Sequence, residues 1–155
     1  MPSGKTLALL GGNVDILDGG SINAPGTRIE LGGLAQAGTI ELDNTDNSFK
    51  LNFPTSTLLS NMTLADDARV AVRGSDSRGD ISVNANIFTA LRGGRLVNGT
   101  EGTVDGGDIA VNSNEFNLSG IGVSGLGAGV TQQVISALLN HGMNQPNTGI
   151  SLYFK

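Results

Sequence analysis

Gly79-Asp80-Ile81-Ser82-Val83-Asn84-Ala85-Asn86 returns 28 residues on, Asp80 to Asp108, as Gly107-Asp108-Ile109-Ala110-Val111-Asn112-Ser113-Asn114. A period in the 20–50 range is the mark of a chain built from stacked supersecondary units. The segments that follow are also alike, Ile87-Phe88-Thr89-Ala90-Leu91 against Glu115-Phe116-Asn117-Leu118, each ending at a glycine corner, Gly93-Gly94 or Gly120. Within each copy apolar and polar residues alternate, the period of a strand.

The same texture fills the rest of the chain. From Gly4 to Gly32 the apolar pulses Leu7/Leu9, Val14/Ile16, Ile22 and Ile29/Leu31 are separated by Gly11-Gly12-Asn13, Asp18-Gly19-Gly20 and Asn23-Ala24-Pro25-Gly26. Each pulse is too short and too closely punctuated for an amphipathic helix. Gly38-Thr39-Ile40-Glu41-Leu42 echoes Gly26-Thr27-Arg28-Ile29-Glu30-Leu31. Phe49, Leu51 and Phe53 alternate up to Pro54, and Arg69-Val70-Ala71-Val72-Arg73 alternates again. Residues 52–65 are less regular and read as an excursion, residues 93–105 as an inserted loop, and Asn98-Gly99 as a turn.

The expected fold is therefore all-β: a right-handed parallel β-helix, or β-solenoid, over residues 1–130. A β-sandwich is the main competitor, since short strands with frequent turns also suit it. The sequence-level repeat and the shortness of the strands favour the solenoid. Residues 131–155 change character. In Thr-Gln-Gln-Val-Ile-Ser-Ala-Leu-Leu-Asn-His (131–141), Val130, Val134 and Leu138, with Ile135 and Leu139, recur at i, i+4, and Gly142 offers a C-cap. That predicts a short C-terminal helix, either capping the open end of the stack or linking to a final strand, Ile150-Ser151-Leu152-Tyr153-Phe154.

Composition agrees with an all-β chain rich in tight corners. The 155 residues include 24 glycines, and only 15% are charged. Glycine supplies positive φ, and Asn and Asp tolerate it. The net charge is −5, no run of Lys or Arg exists, and there is no Trp, so there is no electrostatic footprint for nucleic acid. With no Cys there is neither a disulfide framework nor a thiolate metal site. No apolar run approaches the length of a membrane-spanning helix, and the N-terminus shows no signal-peptide core.

One family resembles the sequence over about residues 4–123. GKTLALLGGNVDILDGGSINAPGTRIELGGLAQAGTIEL, SRGDISVNANIFTAL, GGRLVNGTEGT and GGDIAVNSNEFNLSG are similar to the segment that follows the secretion domain in filamentous haemagglutinin-like two-partner-secretion exoproteins of bacteria. The resemblance implies a right-handed parallel β-helix on a secreted or cell-surface protein. It also implies an outer-membrane pore partner during secretion of the full-length relative, and roles in adhesion to cell-surface or carbohydrate ligands. The family's secretion domain and long repeat array do not occur in these residues, so the chain is expected to be an excised piece, a degenerate relative or a shortened reading frame.

Candidate sites follow from residue chemistry. Arg78-Gly79-Asp80 is an integrin-type tripeptide: a glycine holding a cation and a carboxylate apart. Because Gly-Asp-Ile recurs at Gly107 without the Arg, the structural reading outweighs the adhesive one. A polysaccharide-active β-helix enzyme is the alternative from a different class, with Asn44-Thr45-Asp46, Asp66-Asp67 and His141-Gly142 as its superficial motif. The second spacing is far too long for one turn of a repeat, so no catalytic residue, cofactor or metal site is assigned. His141 is the sole histidine, and Asp15, Asp18, Asp43, Asp46, Asp66, Asp67, Asp105 and Asp108 lack a calcium-repeat spacing. A third reading is self-association through exposed ends of the stack.

Overall fold

A computed structural model describes residues 2–45, 48–75, 77–101, 104–135 and 149–154. These residues form fourteen strands and no helix. The chain makes successive passes through two parallel sheets. The first pass is β1 (Thr6–Gly11), β2 (Val14–Ile16) and β3 (Ser21–Asn23). The second is β4 (Arg28–Gly33), a hairpin of β5 (Glu41–Thr45) and β6 (Ser48–Asn52), then β7 (Met62–Ala65), β8 (Arg69–Ala71) and β9 (Gly74–Ser75). The third is β10 (Asp80–Leu91) and β11 (Arg95–Glu101); β12 (Asp108–Ser119), β13 (Gly129–Ile135) and β14 (Gly149–Phe154) follow.

One sheet runs β1-β4-β10-β12-β14, with β2 on β7 and β7 on the second half of β10. The other runs β13-β11-β8-β3, with β9 also on β11. Every pairing in both sheets is parallel. Register carries each residue type onto its like. Leu7, Ile29, Ile81, Ile109 and Ile150 align in one row, and Leu9, Leu31, Val83, Val111 and Leu152 in the next but one.

The core lies between the sheets, and Ile29, Leu31, Ile81, Val83, Ile109 and Val111 of these rows belong to it, whereas Leu9 at the edge is 40% exposed. Ile29, Leu31, Leu64, Val70, Phe88, Leu96 and Ile109 are wholly buried. Burying one such side chain contributes about 1.5–3 kcal/mol. Phe88 and Phe116 stack at 5.2 Å between ring centroids.

The turns between the sheets repeat as well. Residues 17–20, 65–68 and 91–94 each close with the fourth N–H donating to the first carbonyl, at 2.8, 3.1 and 2.9 Å. Their central pairs hold positive φ: Asp18 and Gly19 (51° and 72°), Asp66 and Asp67 (57° and 62°), Arg92 and Gly93 (42° and 85°). That is the I′-type pattern, which suits Asp and Gly. The turns also stack, Gly19 N–H donating to Asp66 O and Asp67 N–H to Arg92 O.

Gly79 and Gly107 serve a different purpose from turn glycines. A Cβ on Gly107 would overlap the Gly79 carbonyl, and one on Gly79 would lie 2.8 Å from Thr27 O. The repeated glycine therefore permits close approach of successive passes rather than an unusual φ.

Four expectations are corrected. The helix over 131–141 is not seen: residues 131–135 belong to β13, in register with β11 from Arg95↔Gly129 to Glu101↔Ile135, and 136–141 lie outside the described residues, as does Gly142. Val130 and Val134 satisfy a period of two as well as i, i+4, and the β11 edge decides between them. Residues 93–105 are not an inserted loop, since β11 occupies 95–101, and Asn98-Gly99 sits mid-strand rather than at a turn. The excursion covers residues 34–61, bounded by the Leu34↔Leu59 bridge, while Met62–Ala65 has already rejoined the sheet as β7. Within the excursion, Glu41 and Leu42 do not join the parallel sheets. They pair antiparallel with Asn52 and Leu51 in the β5-β6 hairpin.

Candidate functional site

The Arg78-Gly79-Asp80 tripeptide lies where β10 begins, and the neighbouring passes determine its state. Arg28 and Asp80 are register partners, and Arg28 Nη2 is 3.1 Å from Asp80 Oδ2. Arg78 bridges two passes, its Nε 3.5 Å from Asp80 Oδ1 and its Nη2 3.0 Å from Asp108 Oδ2. The Asp108 backbone N–H donates to Asp80 Oδ1 at 2.9 Å. Gly79 is packed against Val72, and its carbonyl accepts from Asn98 Nδ2 at 3.0 Å. The glycine is held in place, and Arg78 and Asp80 meet each other instead of standing apart. Arg78 is 56% exposed and Asp80 only 21%. Asp80 is thus engaged by Arg28, Arg78 and the backbone of the next pass.

Glu30, one residue beyond Ile29 on β4, is buried beneath the excursion, with Arg28 Nη1 3.2 Å from its Oε1. Loss of hydration raises its pKa, and the Arg28 charge opposes that rise only in part. Its Oε2 has no hydrogen-bond partner.

The carboxylates Asp66 and Asp67 occupy the stacked turn of the second pass and are both taken. Arg92 Nη2 approaches Asp66 Oδ2 at 2.7 Å, and Nε approaches Oδ1 at 2.5 Å. That hydrogen bonding holds the Asp66 pKa below the ordinary carboxylate value and raises that of Arg92. Asp67 accepts from the Ser124 hydroxyl and backbone N–H, which lower its pKa likewise. Asp46 and His141, the other members of the hydrolase-like motif, lie outside the described residues. Among the described residues no three His, Asp or Glu side chains converge as a metal site would require.

A feature that sequence reasoning missed runs along the junction of the two halves of the first sheet. Asn61 N–H donates to Asn13 Oδ1, Asn86 Nδ2 to Asn61 Oδ1 at 3.3 Å, and Asn114 Nδ2 to Asn86 Oδ1 at 2.9 Å. A parallel link joins Asn112 Nδ2 to Asn84 Oδ1 at 3.1 Å. Stacked amides of this kind satisfy one another across passes. The signal was present in the sequence as Asn84-x-Asn86 and Asn112-x-Asn114, within the repeat itself. Asn13 and Asn61 fall outside that repeat, so the four-member ladder needed the fold.

Comparison of the chain with family models, with curated proteins and with solved structures gave no match.

Proposed function

We propose that the chain is a non-catalytic, structural segment of a secreted or cell-surface adhesin-like exoprotein, wound as a right-handed parallel β-helix that displays irregular excursions for binding. The observation that carries this reading is the register across the largest excursion. Residues 34–61 leave the sheet and return, yet Arg28↔Asp80 and Leu31↔Val83 on one side, and Met62↔Phe88 on the other, stay aligned. A scaffold that tolerates a long insertion without losing register suits a rod that presents surface elements. The carboxylates of the enzyme alternative are engaged in turn architecture, Asp66 with Arg92 and Asp67 with Ser124. The resemblance of residues 4–123 to filamentous haemagglutinin-like exoproteins supports export with an outer-membrane pore partner.

The test is adhesion set beside catalysis. Beads coated with the chain are expected to retain target cells, and the chain is expected to release no reducing sugar from acidic polysaccharides. Sustained sugar release, or retention no better than on albumin-coated beads, overturns the reading. Asp80→Glu is expected to leave retention unchanged, because Asp80 is committed to Arg28, Arg78 and Asp108.

A further inference from the structure

Residues 120–128, between β12 and β13, close on themselves as a small hairpin. Ile121 and Gly127 form an antiparallel bridge. Ala128 N–H donates to Gly120 O at 3.0 Å, Gly122 N–H to Leu126 O at 2.9 Å and Gly125 N–H to Gly122 O at 3.0 Å. At the tip the Val123 and Ser124 N–H groups turn inward to the Asp67 carboxylate. These backbone donors bond within the hairpin or to the protein beneath it, while its aliphatic side chains face outward. Ile121 is 70% exposed, Leu126 47% and Val123 fully.

The hairpin lies on the flank of the stack rather than on its end. Gly122 packs against Gly93 of the third pass, and Ser124 reaches Asp67 of the second. A further pass laid on β12 and β13 would lie away from the second pass and leave the tip open. Exposure of the tip is therefore a consequence of how the hairpin folds back.

No residue from Asn117 to Ile135 is charged. The ionic groups of the turns beneath the hairpin are engaged, Asp66 with Arg92 and Asp67 with Ser124. Three aliphatic side chains on a projecting tip offer far less than the roughly 800 Å² that each partner gives to a stable protein interface. A lipid surface sets no such minimum and needs no pocket to receive the tip. It does require that inserted backbone donors be satisfied, as these are.

We infer that this hairpin docks on an electrically neutral lipid surface, with Ile121, Val123 and Leu126 inserted at the boundary of headgroups and acyl chains. Neutral lipid is favoured because the chain carries a net charge of −5 and the hairpin has no cation to draw anionic headgroups. The three side chains together hold fewer carbons than one myristoyl chain, so the contact of a single hairpin is weak and reversible. This goes beyond the adhesin-like reading and holds whether or not coated beads retain cells.

The test is co-sedimentation of the whole chain with sucrose-loaded phosphatidylcholine vesicles, beside vesicles that also contain phosphatidylglycerol. Binding to phosphatidylcholine is expected at millimolar lipid, weaker than the roughly 10⁴ M⁻¹ of a single myristoyl chain, and no tighter to the anionic vesicles. Val123→Asp and Ile121→Asp should each weaken binding roughly tenfold or more, and Val123→Leu should strengthen it by up to about fourfold. Val123 and Ile121 are exposed, and the melting temperature of each variant identifies any that has merely unfolded. No binding of the parent chain at millimolar phosphatidylcholine, tighter binding to the anionic vesicles, or undiminished binding by both folded Asp variants overturns the inference. So does a parent chain that dimerises in light scattering while Val123→Asp stays monomeric, because the tip then belongs to a second copy.

Discussion

Asp67 and Ser124 stand 57 residues apart in sequence and are bonded in the fold: the Ser124 backbone N–H donates to Asp67 Oδ2 at 3.0 Å, and its hydroxyl donates to Oδ1. Asp67 sits on the turn of the second pass; Ser124 sits on the wider loop that follows β12. The loop bends back over Gly93, where Gly122 leaves no space for a Cβ beside the Asp67 carboxylate. One side chain on a tight turn thus straps down a loop two passes away.

Asp67→Ala is expected to free that loop while leaving the sheets intact. Limited proteolysis should then cut within residues 120–128 at rates the parent chain does not show. The same release should follow acidification. The folded pKa of Asp67 is depressed from 3.8, so the bond contributes fully above 3.8 and is lost as pH falls through the lower folded value.

Glu30 has the opposite sign. Its folded pKa is raised above 4.5 by burial, so at neutral pH the folded state carries the cost of a buried charge, and that cost is absent below 4.5. Glu30→Gln is expected to melt at or above the parent temperature at pH 7, with the difference closing as pH falls through the raised folded pKa toward 4.5. A gap that widens on acidification would contradict the burial argument. Arg28 keeps Asp80 as a partner in this variant.

Phe88→Ala removes the largest fully buried side chain among the described residues and its stack on Phe116. A loss of about 3–5 kcal/mol in urea unfolding is expected. Phe88→Leu, which keeps most of the volume, should cost clearly less.

Gly107→Ala forces a methyl group onto the Gly79 carbonyl. About 1–3 kcal/mol or more of destabilisation is expected, because backbone cannot move aside as a side chain can. Gly12→Ala is the comparison: no atom lies within 4 Å of its added Cβ, and its φ lies outside the left-handed region. It should fall within about 0.5 kcal/mol of the parent.

Much of the fold is legible in the sequence because register follows from the repeat. Once Asp80-Ile81-x-Val83 recurs as Asp108-Ile109-x-Val111, parallel stacking of like on like is the way both copies bury the same face. Residues 129–135 mislead because Val130 and Val134 suit two periods at once, and a local pattern carries no information about the β11 edge beside it. The hairpin of the excursion misleads for a related reason: Glu41-Leu42 resembles Glu30-Leu31 in composition, yet pairs with Leu51 and Asn52 a few residues on. At the tripeptide, the recurrence of Gly-Asp-Ile already favours a structural role for Gly79. That Arg78 reaches past Asp80 to Asp108 is not legible, since it depends on the 28-residue return of the chain.

Residue order alone was enough for the all-β class, the parallel register of the repeat and the rows of Ile, Leu and Val that fill the core, because period-two alternation and a fixed repeat length are local properties of the chain. Tertiary contacts were needed to settle which residues leave those rows, where the excursion rejoins the sheet, and which carboxylates and amides meet across passes. Those outcomes depend on the distance between segments tens of residues apart, a quantity set by how the passes stack and not by any residue's neighbours in sequence.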